Sequence, residues 1–301
     1  MNEEREQRCM NVAIAGLPNA GKSTLFNRII GDKISIVSPR EQTTRDVLRG
    51  VLVVDSVQII FVDTPGIFIP KKSRVLERTI VKNAWRGIED IDLLCLVVDS
   101  SRKIDSELTS IIESIAKRQE NIVFILNKVD KVKKERLLEM AKELSDLYPK
   151  FREIFMVSAL SGENVEKLKK YLLSLAPKRS WLFGADEITD APARFMAEEI
   201  TREKLFLSLR QDLPYSLDVV SDSFENLDNG DIRIRQTIVV LKESQRAIVV
   251  GKSGVGLKNI GVAARNDMEQ LFGRRVHLFL FVKVKPDWIL EKFSSGNRDF
   301  R

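Results

Sequence analysis

The chain has 301 residues, of which 44% are hydrophobic and 31% charged, and its formal net charge is +6. This length predicts two domains, and the composition is that of an ordinary soluble globular protein. No apolar run approaches the roughly 20 residues that span a bilayer, and the charged N-terminus does not resemble a secretory signal. We therefore expect a cytoplasmic protein, and the net charge favours polyanionic partners without identifying one.

Cysteine and histidine are too few for a disulfide framework or a histidine-based metal centre. Cys9 and Cys95 are the two cysteines, and Cys95 lies in an apolar run, which predicts a buried free thiol. His277 is the single histidine, so the sequence excludes a histidine cluster and a histidine-containing triad.

The first predicted elements are a buried strand at residues 12–15, a glycine-rich loop and a helix. The loop reads GLPNAGKST and matches the GxxxxGK[ST] pattern of phosphate-binding loops. Its glycines let backbone N–H groups turn towards an anion, and the helix adds the positive end of its dipole. Lys22 then reaches the β- and γ-phosphates, and the Ser23 hydroxyl can bind Mg²⁺. The loop residues that we expect to bind the nucleotide are Asn19, Ala20, Gly21, Lys22, Ser23 and Thr24.

Residues 33–49 are polar and predict a mobile loop that contains the pair Thr43-Thr44. A threonine hydroxyl here can complete a Mg²⁺ shell while its N–H meets the γ-phosphate, so the order of the loop would depend on that phosphate. A solvated turn is the other interpretation of such a pair.

Two paired strands are predicted at residues 50–54 and 58–62, and the second leads into Asp63-Thr64-Pro65-Gly66. A carboxylate at this strand end is placed to hold Mg²⁺ through water. Gly66 can donate its N–H to the γ-phosphate because it has no side chain to obstruct the approach. Residues 67–78 are rich in Lys and Pro and predict a second mobile loop.

A base-reading motif follows the predicted strand at residues 122–126, where the chain reads Asn127-Lys128-Val129-Asp130. The Asp130 carboxylate can accept hydrogen bonds from N1–H and the exocyclic amine of guanine, and adenine has no matching pair of donors. Because an unpaired buried acceptor costs several kcal/mol, the motif predicts selection of GTP over ATP by roughly a hundredfold or more.

Further buried strands at residues 93–98 and 154–157 alternate with helices, which predicts a mainly parallel sheet covered on both faces. The strand at 154–157 ends in Ser158-Ala159-Leu160, whose backbone can contact the guanine O6. All these motifs lie at strand ends, where a doubly wound sheet binds its ligand.

Residues 12–175 resemble the translation-factor-related GTPases whose loop reads GxPNxGKST. The resemblance implies catalytic roles for Lys22, Thr44 and Gly66, and Mg²⁺ ligation by Ser23, Thr44 and Asp63. Thr44 is preferred to Thr43 because it directly precedes an Arg-Asp pair, as in those relatives. The residues that the resemblance assigns to the nucleotide site are Lys22, Ser23, Thr44, Asp63, Gly66, Asn127, Lys128, Asp130 and Ser158.

One residue departs from Ras-like proteins: Ile67 stands where those enzymes have a water-orienting glutamine, which predicts slow intrinsic hydrolysis unless another group or ion assists. Asn19 precedes Gly21 by two residues, a placement that resembles GTPases in which this side chain helps to bind K⁺ beside the phosphates. A residue that merely suits a tight turn is the other interpretation of Asn19, and both remain open.

We predict that the first domain comprises residues 1–176 and that a linker at 177–190 joins it to a second domain. The second domain, residues 191–301, contains the GxxG loop Gly251-Lys252-Ser253-Gly254. In KH domains this loop presses its backbone against nucleic-acid phosphates, and an apolar groove beside it holds about four unpaired nucleotides. Propensity alone makes residues 247–250 a strand; the KH resemblance implies a helix there, and we predict a helix.

Basic residues are concentrated around this loop, because residues 242–285 contain nine Lys and Arg against three Asp and Glu. A solvated basic face is the alternative interpretation, and the GxxG loop together with an α-β-β-α-α-β order favours nucleic-acid binding. The predicted RNA-binding residues are Gly251, Lys252, Ser253, Gly254, Lys258 and Arg265.

Together the two domains resemble the bacterial Era family from Val12 to Trp288. The resemblance implies an α/β fold, with a doubly wound P-loop GTPase domain followed by a smaller α+β type II KH domain. It implies a Mg²⁺-dependent GTPase that binds the 3′ end of 16S rRNA and assists assembly of the 30S ribosomal subunit, and we expect a monomer. It also admits peripheral association with the inner face of the cell membrane.

Two other functions start from the same phosphate loop. A small-molecule phosphotransferase is opposed by the guanine motif at 127–130, and an RNA-binding module with a degenerate GTPase part is opposed by the intact Lys22, Ser23 and Asp63. Nucleotide competition and a turnover assay distinguish these functions.

Overall fold

The computed structural model describes residues 6–38, 43–70, 75–209 and 216–289. The chain divides into two compact units. The first unit comprises Met1–Ser35, Thr44–Lys71 and Ile80–Asp190, and the second comprises Ile36–Thr43, Lys72–Thr79 and Ala191–Arg301. The domain boundaries predicted from the sequence stay a prediction.

Strands and helices alternate along the chain up to residue 175, with one turn of 3₁₀-helix at Val129–Lys131, and the first residues of the second helix are counted with the second unit. In chain order the elements are β1 (Arg8–Ala15), α1 (Lys22–Ile30), β2 (Leu48–Val54), β3 (Val57–Asp63), α2 (Val75–Arg86), β4 (Leu93–Asp99), α3 (Ser106–Ala116), β5 (Ile122–Asn127), α4 (Lys134–Leu147), β6 (Glu153–Val157) and α5 (Val165–Leu175).

The six strands form one sheet in the order β2-β3-β1-β4-β5-β6. The β2–β3 hairpin is antiparallel and every other pair is parallel. Leu93 to Val98 of β4 are all buried, the pattern of a strand covered on both faces. The central strand β1 has β3 and β2 on one side and β4, β5 and β6 on the other, so the strand order reverses direction at β1. In such a fold the ligand-binding crevice opens at this point, beyond the carboxyl ends of the central strands. The predicted fold class is confirmed.

The predicted boundaries need two corrections. The second mobile loop was expected to extend to residue 78, but α2 begins at Val75. Leu76, Ile80 and Ala84 are buried at a spacing of four residues, so an apolar stripe makes this segment helical despite its polar surroundings. The loop expected at 33–49 ends earlier than predicted, because β2 begins at Leu48.

The segment expected as a linker is hydrogen-bonded to strands of the first unit. Cys9 N donates to Pro177 O, and Val51 N donates to Ile188 O. Cys9 and Cys95 are both free and buried, as predicted, and burial raises the pKa of the Cys95 thiol to about 12.

The second unit is α+β. Its elements are α6 (Ala193–Ser208), β7 (Leu217–Asn226), β8 (Ile232–Val240), α7 (Glu243–Val250), α8 (Val255–Phe272) and β9 (Val276–Val284). The sheet order is β7-β8-β9, with β7 antiparallel and β9 parallel to the central β8. The residues of α6 at positions 197, 200, 205 and 206 are buried in the core of this unit.

Residues 247–250 are helical, as the KH resemblance implied and propensity did not. The α7 helix starts at a capping arrangement in which Gln245 Oε1 accepts hydrogen bonds from Leu241 N and Lys242 N. It ends at Gly251, whose N–H donates to Ala247 O. Val249 is the one buried residue of α7. A strand in the interior of a sheet would bury several of the apolar residues of this segment, so the burial pattern agrees with a helix on the surface of the unit.

Two adjacent charged residues on α6, Arg202 and Glu203, are buried, and polar groups of the second unit pair with them. Glu203 Oε1 accepts from Val37 N at 2.9 Å, and Arg202 Nη1 donates to Thr43 O at 2.6 Å. A buried charged side chain is stable only when hydrogen bonds or ion pairs compensate for its lost hydration. These contacts therefore explain how α6 can bury two charged residues. No described helix is long and apolar enough to cross a membrane.

Candidate functional site

The phosphate loop joins β1 to α1 at the carboxyl edge of the first sheet. Its turn requires a left-handed residue at Gly21, with φ of 93° directly before α1. A Cβ atom at Gly21 would lie 2.2 Å from Asn127 Nδ2. Asn127 Nδ2 also donates to Ala20 O at 2.8 Å, so the base-reading strand end is tied to the phosphate loop. Thr24 follows on the first turn of α1.

Lys22 is buried and its Nζ donates to Leu17 O at 2.9 Å. Burial lowers the pKa of the Lys22 ammonium to about 8, and the nearby Asp63 charge offsets part of that effect. Burial likewise raises the pKa of Asp63, against hydrogen bonds from Ser35 and Ser23 and the charge of Lys22. A phosphate group is therefore the kind of ligand that would stabilise the charged lysine.

Hydroxyl and carboxylate oxygens converge beside Lys22. Ser23 Oγ lies 2.9 Å from Thr44 Oγ1 and donates to Asp63 Oδ2 at 2.8 Å. The other oxygen, Asp63 Oδ1, is buried and has no hydrogen-bond partner in the described part of the chain. Hard oxygen ligands and an unpaired carboxylate oxygen are what Mg²⁺ and its bound water need. Ser23, Thr44 and Asp63 therefore fit this ion.

The two threonines differ in their contacts. Thr44 Oγ1 faces Ser23, whereas Thr43 Oγ1 lies 2.6 Å from Ser38 Oγ. The structure thus brings Thr44, and not Thr43, to the oxygen cluster.

Gly66 packs against the phosphate loop, and a Cβ atom there would lie 2.9 to 3.0 Å from atoms of Pro18. The next residue donates its N–H to Gly16 O at 3.1 Å. The side chain of this residue, Ile67, is 1% exposed and packs in the core of the first unit. Position 67 therefore supplies no group that could orient a water molecule.

The base-reading residues form a connected network. Asn127 Oδ1 accepts from Ala159 N at 2.9 Å, which joins the β5 and β6 ends. Lys128 is in the left-handed region with φ of 67°, and its Nζ donates to Asn19 O at 2.7 Å. Ser158 is buried, while Asp130 and Leu160 are exposed at the edge of this network. The arrangement leaves the Asp130 carboxylate accessible to a base.

Sequence reasoning missed Asp99 and Arg28. Lys128 Nζ donates to Asp99 Oδ2 at 2.6 Å. Burial by itself would raise the pKa of Asp99, but hydrogen bonds from Lys128 and Ser101 outweigh it and lower the pKa. Asp99 ends the strand β4, and in the sheet it pairs with Asn127. A carboxylate at the end of a predicted strand was the sequence signal that could have identified it. Arg28 Nε donates to Ala159 O at 3.2 Å and its Nη2 donates to Leu160 O, contacts that no local pattern indicates.

The GxxG loop is a tight turn between α7 and α8. Gly251 has φ of 71° and ψ of 177°, and a Cβ atom there would lie 2.9 Å from Gly256 N. Ser253 and Gly254 are also left-handed, and the Lys252 and Ser253 side chains are exposed. The backbone can therefore approach a phosphate closely while Lys252 adds charge.

Lys258 and Arg265 lie on exposed positions of α8, whose buried positions are Ile260, Ala264 and Met268. Arg265 borders a cleft of about 420 Å³ between α8 and β9, the last strand in the sheet order. The cleft is lined by Arg265, Glu269, Arg275, Val276, His277, Leu278 and Phe279. The predicted RNA-binding residues thus divide between the loop, the first turns of α8 and this cleft.

Family models match both halves of the chain. Residues 11–128 match the family described as 50S ribosome-binding GTPase, and residues 212–289 match the KH domain. The chain is therefore a P-loop GTPase with a KH domain.

Curated relatives identify the family more closely. GTPase Era of Afipia carboxidovorans is 44% identical over 281 residues, which cover 93% of this chain and 90% of that protein. GTPase Era of Rhizobium meliloti (strain 1021) is 45% identical over 291 residues, which cover 96% and 92%. The chain belongs to the GTPase Era family, and it is a GTPase.

Two solved structures are similar over nearly the whole chain. One is Era in complex with MgGDPNP and nucleotides 1506–1542 of 16S ribosomal RNA, and the other is a point variant of Aquifex aeolicus Era bound to GDP·AlF4⁻. Each is 37% identical with a TM-score of 0.91, and each match covers 96% of this chain and 98% of that one.

Proposed function

We propose that this chain binds the 3′ end of 16S rRNA under the control of GTP and assists assembly and maturation of the 30S subunit. The observation that carries the proposal is the GxxG turn, because its glycine-limited backbone and exposed Lys252 suit the phosphates of a single strand. The similar Era structure holds an RNA from this part of 16S rRNA, which supports the choice of partner.

In the GTPase site, each group of the chain has a distinct task in the proposed mechanism. The phosphate-loop amides and Lys22 bind the β- and γ-phosphates and stabilise the charge that develops during transfer. The Gly66 N–H contacts the γ-phosphate, and Asp130 reads the guanine. Ser23, Thr44 and Asp63 would hold Mg²⁺, directly or through water, and when bound the ion neutralises charge on the phosphate oxygens. Because the side chain of Ile67 is buried and apolar, it cannot orient the attacking water, and intrinsic GTP hydrolysis is slow.

A potassium ion beside the phosphates would supply the missing charge stabilisation. Asn19 is exposed in the phosphate loop with φ of 62°, and its backbone oxygen accepts from Lys128. This contact fixes the backbone of the residue and leaves its side-chain oxygen available to an ion. We propose that this oxygen contributes to K⁺ binding, as in the GTPases that the loop resembles.

We further propose that the chain acts as a monomer in the cytoplasm and that a fraction of the molecules associates peripherally with the inner face of the cell membrane. The net charge of +6 supports association with anionic surfaces, of which the ribosome is one and the membrane another.

The test is an anisotropy titration of the full chain with labelled RNA. The RNA carries nucleotides 1506–1542 of 16S rRNA, as in the similar Era structure, and a shuffled RNA of equal length and composition is the control. We expect the native sequence to bind at least tenfold more tightly at physiological salt, since phosphate contacts alone do not distinguish the two. Equal affinity for both RNAs would contradict the proposed partner.

A further inference from the structure

Ser35 is a buried hydroxyl in the first unit that no motif singles out. It is 2% exposed, and its Oγ donates to Asp63 Oδ2 at 2.7 Å. We propose that Ser35 is a positioning residue that fixes the Asp63 carboxylate for Mg²⁺ and its bound water. This inference rests on the magnesium part of the proposed function and does not depend on RNA binding.

Asn27 holds Ser35 in place from α1. Asn27 Oδ1 accepts from Ile34 N at 3.1 Å and from Ser35 N at 2.8 Å, while its Nδ2 donates to Ser35 O at 2.6 Å. Asn27 lies one turn beyond Ser23 on the same helix. The position of the Ser35 hydroxyl is therefore set by the helix that carries a proposed magnesium ligand.

The two oxygens of Asp63 have unequal surroundings. Oδ2 accepts from both Ser23 and Ser35, whereas the buried Oδ1 has no partner in the described part of the chain. Rotation of the carboxylate would exchange these roles and break two hydrogen bonds. Since Ser23 is itself expected to bind the ion, Ser35 is the donor that keeps Oδ2 occupied and leaves Oδ1 available.

The test compares Ser35→Ala with the parent and with Ser114→Ala, which removes a half-buried hydroxyl that donates to Ser110 O on its own helix. The rate of release of a fluorescent GDP is measured across a Mg²⁺ titration, and GDP affinity is measured in EDTA. Loss of a partner that orients a metal site typically lowers metal affinity 10- to 100-fold. We expect Ser35→Ala to raise the Mg²⁺ midpoint at least tenfold with GDP affinity in EDTA unchanged, and Ser114→Ala to match the parent.

A double-mutant cycle tests whether Ser35 acts through Asp63. In an Asp63→Ala background, Ser35→Ala should produce no further shift of the Mg²⁺ midpoint. Additive shifts, or a Ser35→Ala variant whose GDP affinity in EDTA falls in parallel with the midpoint, would contradict positioning of Asp63. If GDP release from the parent depends on Mg²⁺ and Ser35→Ala has the same Mg²⁺ midpoint as the parent, this inference is wrong and the magnesium assignment stands. If GDP release from the parent does not depend on Mg²⁺, the magnesium assignment is wrong as well.

Discussion

At the scale of single residues, the site holds a buried cation and a buried carboxylate that a nucleotide and a metal ion would stabilise. Lys22 and Asp63 have pKa values that burial shifts towards their neutral forms. The nucleotide-free protein therefore carries a free-energy cost at this site that ligand binding relieves. That cost has a signature in the dependence of stability on pH.

We expect the free energy of unfolding of the nucleotide-free parent to rise relative to that of Lys22→Met between pH 8 and 10.5. The folded pKa of Lys22, about 8, lies below its ordinary value of 10.5, so the unfolded chain binds more protons in this window. Stability then increases with pH, by on the order of 3 kcal/mol across the window. Urea unfolding at pH 7.5 and 10 measures the difference, and parallel pH profiles for the two proteins would contradict the assignment.

Asp130→Asn is expected to weaken GTP binding by roughly a hundredfold and to favour a xanthine nucleotide. Xanthine has a carbonyl in place of the exocyclic amine, and an Asn amide can donate to it. Competition between GTP and XTP for the variant measures the change, with ATP as the control. Unchanged GTP affinity would remove Asp130 from the base site.

Asn19 provides a test of the potassium proposal. Turnover should be faster in KCl than in NaCl at equal ionic strength, and the difference should vanish in Asn19→Ala. The expected reason is charge stabilisation by an ion at the position where other GTPases use an arginine. Equal rates of the parent in both salts would remove K⁺ from the proposed mechanism.

At the scale of elements, the GxxG turn is limited by backbone geometry. Gly251→Ala is expected to destabilise the turn by about 1–3 kcal/mol, because a Cβ would meet Gly256 N in a backbone region that L-residues rarely adopt. Gly230→Ala is the matched control, since φ there is 88° but nothing lies within 4 Å of a Cβ. Hydrogen exchange of residues 243–272 should increase in Gly251→Ala and stay near the parent rate in Gly230→Ala.

Most elements were predictable because their apolar periodicity and their turns are local. The α7 helix was not predictable from propensity, since the segment Ala247–Val250 is rich in β-branched residues. Hydrogen bonds at both ends accompany its helical form, from Leu241 N and Lys242 N to Gln245 Oε1 and from Gly251 N to Ala247 O. The same limit applies to the site. Motifs at strand ends identified Lys22 and Asp130, whereas Arg28 and Ser35 reach the site through contacts between residues distant in sequence.

At the scale of the whole molecule, the chain joins a nucleotide switch to a nucleic-acid reader whose basic residues are concentrated in one segment. Residues 181–301 carry 18 Lys and Arg and 18 Asp and Glu, so the location of these charges and not their sum supports binding. Because the two sites lie in different compact units, a surface change in one should leave ligand binding in the other intact.

The double variant Lys252→Asp with Ser253→Asp tests the central claim most directly, by RNA titration and GTP binding on the same preparation. Lys170→Asp with Ser174→Asp, an equal charge change on exposed positions of the first unit, is the control. Loss of one phosphate contact alone lowers the salt slope by about 0.7, and the added repulsion should abolish RNA binding at physiological salt. We predict that the variant loses RNA and keeps the GTP affinity of the parent, and RNA binding equal to that of the control would contradict the account.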